Sequence, residues 1–441
     1  MNVLFISLGC DKNLVDSEVM LGLIKDKGYT ITDDENEADI IVINTCCFIH
    51  DAKEESIDQI LSMAELKKNG NIKVIIVTGC MAERYREEII EEIPEIDAVL
   101  GTNAYGDIIK AIEAALKKDH MVDIKELVGI PDVKTKRVVT TGGHFAYLKI
   151  AEGCDKHCTY CIIPSLRGDY RSVPMDKLIN EAKELVSDGV KELILVAQET
   201  TVYGKDIYGE KRLHILLKKL AEIDDLKWIR ILYCYPEEIY EELIETIRCE
   251  DKVCNYLDLP IQHANDGILK KMGRRTSKKQ LLDIIGKLRK EIPDICLRTS
   301  LITGFPGETE AQHSELMEFV DEVEFDRLGV FTYSQEENTP AAKMPNQIDE
   351  NVKSDRQADI MELQQDISLS KGEDMIGKEV ITMIEGKVAD ENAYVGRTYK
   401  DAPNVDGLIF LNSDDNYETG DFVKVKVTGA LEYDLIGEIV S

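Results

Sequence analysis

Three things are scarce or missing in this chain of 441 residues. No apolar run approaches the roughly 18 residues that a membrane-crossing helix needs, which argues against helical membrane spans. The opening MNVLFISLGC carries no basic stretch and runs straight into a strand-like segment. It does not read as a secretory signal, and the expected compartment is the cytoplasm. Positive charge is short as well: 53 Lys and Arg face 84 Asp and Glu, for a net charge of −31. Affinity for nucleic acid comes largely from cations that displace counterions from phosphates. A surface of this sign therefore disfavours a phosphate backbone and suits a basic protein partner. A solvated acidic face with no partner is the plain alternative.

Against these deficits stand eleven cysteines. Without an export signal a disulfide framework is not expected, and metal binding or catalysis becomes the leading explanation. The length allows two to four domains, each with a core of its own.

The first hundred residues alternate short apolar runs with amphipathic helical patterns. NVLFISLGC precedes a helix expected over about 15–27, ADIIVINTC one over about 51–68, and IKVIIVTGC one over about 84–93. Strand–helix alternation of this kind predicts a doubly wound parallel sheet. Cys10, Cys46 and Cys80 each fall just past the carboxyl end of a strand, the edge where ligands gather in open α/β sheets. Three thiols converging there suit a soft metal centre, with an iron–sulfur cluster as the leading candidate. Packing as small buried hydrophobes is the bland reading. Cys46 is the register counterpart of Cys10 and Cys80. Cys47, one residue on, points the other way in extended geometry.

The segment LKIAEGCDKHCTYCIIPSLRG places Cys154, Cys158 and Cys161 in a CxxxCxxC pattern on one loop. Such a loop can wrap three corners of a 4Fe–4S cube and leave the fourth iron open to chelate S-adenosylmethionine. One electron then splits a C–S bond and yields a 5′-deoxyadenosyl radical, while the protein positions the cofactor and excludes water. Tyr160 is placed to pack on the adenine. The rival is a zinc site completed by His157 or His144, but no second CxxC pair follows.

Further strand–helix units run from Tyr147 to about Tyr333, predicting a full or partial βα barrel with its site at the carboxyl rim. Gln198, Glu199, Thr200 and Thr201 stand at a strand exit as candidate cofactor contacts. So do Gly304 and Gly307 in TGFPGETE, where glycine lets backbone approach a ligand. Glu308 and Glu310 of that loop read equally well as the acidic start of a helix. Gln262 and His263 face a cavity or serve structure. Cys234, Cys249, Cys254 and Cys296 show no ligand spacing.

A helix is expected over about 350–371, followed by five short β runs separated by turn residues. They fit a small β-barrel like an oligonucleotide-binding fold. Residues 373–441 carry 6 basic and 15 acidic side chains, net −9, so RNA should be repelled.

SLGCDKNLVDSE, NTCCFI, TGC and GCDKHCTYCIIPSLRG together resemble the radical S-adenosylmethionine methylthiotransferases over essentially the whole chain. The resemblance implies an auxiliary-cluster domain over 1–118, a radical core over 140–371 and a TRAM barrel over 373–441. Carried over by motif position, Cys10, Cys46 and Cys80 would hold an auxiliary 4Fe–4S cluster, and Cys154, Cys158 and Cys161 the radical one. Cys47 departs from the family's usual glycine. SLGCDKNLVDSE and GRTYKDAPNVDGLI look like the branch that methylthiolates an aspartate of ribosomal protein S-12. The implied partners are that protein or the small ribosomal subunit, an electron donor and a sulfur donor, with neither membrane nor direct nucleic-acid contact. The alternatives are the same chemistry on a tRNA adenosine and a non-catalytic iron–sulfur scaffold.

Overall fold

The computed structural model describes residues 1–70, 72–389 and 392–440. Its first sheet aligns Thr30–Thr32, Asn2–Ser7, Ile40–Thr45, Val74–Gly79, Ala98–Leu100 and Met121–Asp123 in that order, every pair parallel. The two central strands, IIVINT and VIIVTG, are buried at every position. Such unbroken apolar runs are what a parallel sheet covered on both faces demands. On one face lie Met20 and Ile24 of helix Asp11–Asp26, with Ile108 and Ile112 of Ile108–Leu116. Ile60 and Met63 of helix His50–Asn69 cover the other face. The doubly wound sheet is thus present.

One expected helix differs. The segment predicted over 84–93 is two short helices, Cys80–Tyr85 and Glu88–Glu92. Arg86 ends the first in a left-handed conformation, φ +50°, its N–H donating to the Ala82 carbonyl. That turn re-aims the chain so that Ile89 packs into the core.

The second sheet runs in chain order through Phe145–Lys149, Glu192–Val196, Trp228–Ile231, Val253–Asp258, Cys296–Thr303 and Arg327–Thr332, all parallel. Its first and last strands do not pair, so of the two barrel forms expected it is the partial one. Helices on its convex face contribute Leu178, Leu217, Leu243, Leu281, Phe319 and Ile360 to the largest apolar core. The concave face is filled from two directions. Leu14 and Val15 come from the first helix, and Met383, Ala402 and Phe422 from the C-terminal barrel. They meet Tyr147, Ile194, Val196, Trp228 and Tyr256.

The long helix, Glu350–Glu373, leads into a closed barrel of Glu379–Lys387, Ala393–Thr398, Ile409–Asn412, Leu435–Ile439 and Phe422–Ala430. Buried ion pairs bind that barrel to the second sheet. Glu192 accepts from Arg230 at 2.8 Å and from Arg397 of the barrel at 2.7 Å, all three side chains essentially without solvent exposure. Arg397 also reaches Glu385, 2.7 Å away, which in turn meets His144 at 2.8 Å. No helix among the described residues is long and apolar enough to cross a membrane.

Candidate active site

Cys10 caps the first helix, Cys46 follows the strand Ile40–Thr45, and Cys80 opens the helix Cys80–Tyr85. The three strands that deliver them are adjacent and parallel, which gathers the thiols on one rim. Two glycines make the approach close. Gly9, at φ +86°, turns so tightly that a Cβ there would lie 2.6 Å from Cys46 Cβ and 2.9 Å from its sulfur. Gly79, at φ +92°, would place one 2.6 Å from the Thr45 carbonyl. The Ser56 hydroxyl accepts from the Cys46 N–H at 3.1 Å and donates to its carbonyl at 2.9 Å, pinning that turn.

Burial pushes the Cys46 thiol up to about 12, with Cys80 and Cys10 adding to the shift. Cys80 is raised by burial too, opposed by the neighbouring Arg167. Two buried thiols, Cys46 and Cys80, that disfavour their own ionisation need a cation to become thiolates, which is what a metal supplies. Cys47 packs among Ile60, Met63 and Ile75 in the apolar core.

Cys154, Cys158 and Cys161 lie between the short strand Ala151–Glu152 and the helix Ile163–Arg167. Burial raises Cys154 to about 11, with Glu199 and Cys158 adding to it, and Cys161 to about 12, reinforced by Cys158 and Cys154. The Lys156 N–H donates to Cys154 Sγ at 3.4 Å, and the Tyr235 hydroxyl stands 3.8 Å from Cys158 Sγ. Arg274 stacks on the Tyr235 ring, 4.3 Å from its centroid.

Both trios fit an iron–sulfur cube better than one ion. Neither has its three sulfurs within 4.8 Å of one another. Zinc holds thiolates at about 2.3 Å, so two sulfurs on one zinc are at most about 4.6 Å apart. Three soft donors on a wider triangle suit a larger cluster. His144, one candidate fourth zinc ligand, is taken up by Glu385.

The strand-exit residues divide. Gln198 donates to Glu152 at 2.7 Å and keeps a buried Oε1 without a partner. Glu199 accepts from Thr201 at 2.6 Å, and burial pushes its carboxyl up to about 7 despite Lys156 nearby. Thr200 instead turns its hydroxyl to the Leu232 carbonyl at 2.7 Å. Tyr160 joins an apolar cluster with Ile268, Met272 and Phe305. Gly304 lies against the stem of Lys353, and Gly307 faces the Lys271 ammonium. Glu308 is buried against Arg356 at 2.9 Å, whereas Glu310 is exposed in the first turn of its helix.

Gln262 takes φ +72° and bridges Leu301. His263 accepts two backbone N–H groups at Nδ1, from Ala264 and Asn265. Cys234 contacts Thr200, and Cys296 donates to the Lys400 carbonyl. Cys254 is buried in the apolar cluster on the concave face, and Cys249 is exposed.

Sequence reading passed over Lys156, Arg167, Tyr235 and Arg274. Lys156 and Arg167 lie inside the quoted cysteine motif, where charge beside a metal loop was an available signal. Tyr235 and Arg274 are far along the chain, and only folding brings them to Cys158.

Residues 2–101 match the Uncharacterized protein family UPF0004, residues 148–320 the Radical SAM superfamily and residues 376–440 the TRAM domain. The chain is 62% identical over 437 residues to the ribosomal protein uS12 methylthiotransferase RimO of Lachnoclostridium phytofermentans, covering 99% of each. It is 50% identical over 434 residues to the protein of that name from Clostridioides difficile, covering 98% of each. In fold it is similar to the radical S-adenosylmethionine methyltransferase TsrM from Kitasatospora setae, with TM-score 0.54 and 12% identity over 77% of this chain and 73% of that one. Full-length identity of this order, carried on three matched domains, means that the chain belongs to the RimO family of radical S-adenosylmethionine methylthiotransferases.

Proposed function

We propose that this enzyme inserts a methylthio group at the β-carbon of an aspartate in ribosomal protein uS12, working in the cytoplasm. The observation that carries the reading is the pair of thiol trios, one on each of two domains that bury charged side chains against each other. Three units divide the work: 1–118 for the auxiliary cluster, 140–371 for radical generation and 373–441 for the barrel. Enzymes of this family use two 4Fe–4S clusters and S-adenosylmethionine, which supply an electron, a radical that removes hydrogen from an unactivated carbon, and the methylthio group.

The chain's own residues do the rest. Cys10, Cys46 and Cys80 would hold the auxiliary cluster, and Cys154, Cys158 and Cys161 the radical one. Gln198 Oε1 and Arg274 Nε, both buried and unpartnered, are among the polar groups free to meet S-adenosylmethionine. Trp228 against Phe422, ring centroids 4.8 Å apart, with Met383 beside them, keeps water off the concave face from the barrel side. An electron donor and a sulfur donor complete the system. The net −9 tail favours a basic protein over RNA as the substrate.

The test is anaerobic reconstitution followed by incubation with uS12 or with tRNA, and mass spectrometry of each. A methylthio mass gain on the aspartate supports the reading; a gain on tRNA alone overturns it. Cleavage of S-adenosylmethionine distinguishes an enzyme from a cluster scaffold. Cys158→Ala should abolish 5′-deoxyadenosine production. Cys80→Ala should keep that cleavage and lose sulfur insertion.

A further inference from the structure

Arg167 stands six residues after Cys161, at the end of the helix that closes the radical-domain cysteine loop. Yet most of what it touches belongs to the first domain. The side chain is 2% exposed. Nη1 donates to Asp16 Oδ2 at 2.8 Å and to Glu152 Oε2 at 3.1 Å. Nη2 donates to Asn13 Oδ1 at 2.9 Å and lies 3.6 Å from Cys80 Sγ. Asn13 is fixed in turn, its amide donating to the carbonyls of Leu8 at 2.7 Å and Thr45 at 3.2 Å. Those carbonyls belong to the segments that carry Cys10 and Cys46. On its other side Glu152 accepts from Lys149 at 2.8 Å and from Gln198 at 2.7 Å. One guanidinium therefore joins a sulfur of the first trio to the strand exit beside the second.

That placement has an electronic consequence. Hydrogen bonds to the sulfurs and nearby positive charge stabilise the added electron of a reduced iron–sulfur cluster, which raises its potential. Docking alone does not require a guanidinium here, because Lys149 already pairs with both Asp16 and Glu152. What Lys149 does not supply is a donor to Cys80. A planar fork with five donors can serve two carboxylates, an amide and a sulfur together, whereas an ammonium cannot.

We propose that Arg167 is a positioning residue for the cluster held by Cys10, Cys46 and Cys80, raising its reduction potential through the Cys80 sulfur and tying it to the Glu152–Gln198 rim. The inference rests on the reading of Cys80 as a ligand.

The experiment is an EPR-monitored redox titration of the anaerobically reconstituted full chain, comparing the parent with Arg167→Lys and Arg167→Gln. Iron content and the potentials of both clusters are read together. The auxiliary potential should fall in both variants, further in Gln, which also loses the charge. The radical-cluster potential should stay where it is. Lys keeps the buried charge, so it carries the comparison if Gln loses iron. An unchanged auxiliary potential in a variant holding about eight irons overturns the proposal. So do equal shifts of both clusters, which general loosening would produce. If Cys80→Ala keeps full iron content, the assignment of Cys80 has itself failed and the inference falls with it. An intact Cys80 assignment with a flat Arg167 response sinks the inference alone.

Discussion

At the scale of single residues, the gathering of Cys10, Cys46 and Cys80 depends on a missing methyl group as much as on thiols. Gly9 combines a left-handed backbone with a neighbour that leaves no room for a Cβ. A side chain there costs about 1–2 kcal/mol in backbone strain alone, and the contact with Cys46 adds to it. Gly9→Ala should therefore displace Cys46 from its partners. Iron content after reconstitution should fall from about eight to about four per chain, with cleavage of S-adenosylmethionine retained and the methylthio product lost. Gly28 provides the control: it is also left-handed, φ +88°, but has nothing within 4 Å of a Cβ. Gly28→Ala should leave the iron count unchanged.

The cysteines themselves were legible in sequence because ligand spacing on one loop, and matched strand ends, are local patterns. Arg167 was not. Its meaning lies in Asp16, Asn13 and Cys80, which only folding brings to it. Thr200, at the same strand exit as Gln198, turns its hydroxyl onto the Leu232 carbonyl, a pairing that no sequence pattern records.

At the scale of elements, periodicity located the longer strands and most helices but not the short strands Thr30–Thr32, Ala98–Leu100 and Met121–Asp123 of the first sheet, since long covered parallel strands and amphipathic helices write their burial directly into the sequence. The helix of the third unit breaks at Arg86 because one residue adopts φ +50°, a choice no apolar period records. The docking of the barrel was equally hidden, because Glu192 and Arg397 are 205 residues apart. That dock makes a specific prediction. Glu192 is held below the ordinary carboxylate range by Arg397 and Arg230, which outweigh the cost of its burial. A lowered folded pKa gives stability that is present above the unfolded value and lost as pH falls through the folded one.

The chain's single tryptophan, Trp228, sits at this interface against Phe422 and reports on it. Its emission should hold steady at neutral pH and shift to the red only below about pH 4.5. Glu192→Gln leaves two buried guanidinium groups short of compensation, which typically costs about 3–5 kcal/mol. Urea denaturation followed by Trp228 fluorescence should show that loss at neutral pH. A change within about 0.5 kcal/mol, as for a surface substitution, would mean that the ion pairs do not hold the barrel in place.

At the scale of the whole molecule, charge decides which partner can approach. The barrel's exposed loop carries Asp414, Asp415 and Glu418, part of a tail that is net −9 on a chain that is net −31. Exposed charges of one sign act over about 10 Å at 0.1 M salt and are screened beyond it. They steer a basic protein toward the enzyme and raise its association rate more than they alter the bound geometry. Replacing the three acids with lysine should therefore raise KM for uS12 several-fold and flatten its salt dependence. Cleavage of S-adenosylmethionine in the absence of protein substrate should not change, because the loop is remote in sequence and contact from both cysteine trios. Steady-state kinetics at two ionic strengths separates the outcomes. If KM and its salt slope match those of the parent chain, the acidic tail is a solvated face. Recognition of the substrate must then come from the rim between the two thiol-bearing domains, where Arg84 already binds Glu336 and Glu337 across the boundary.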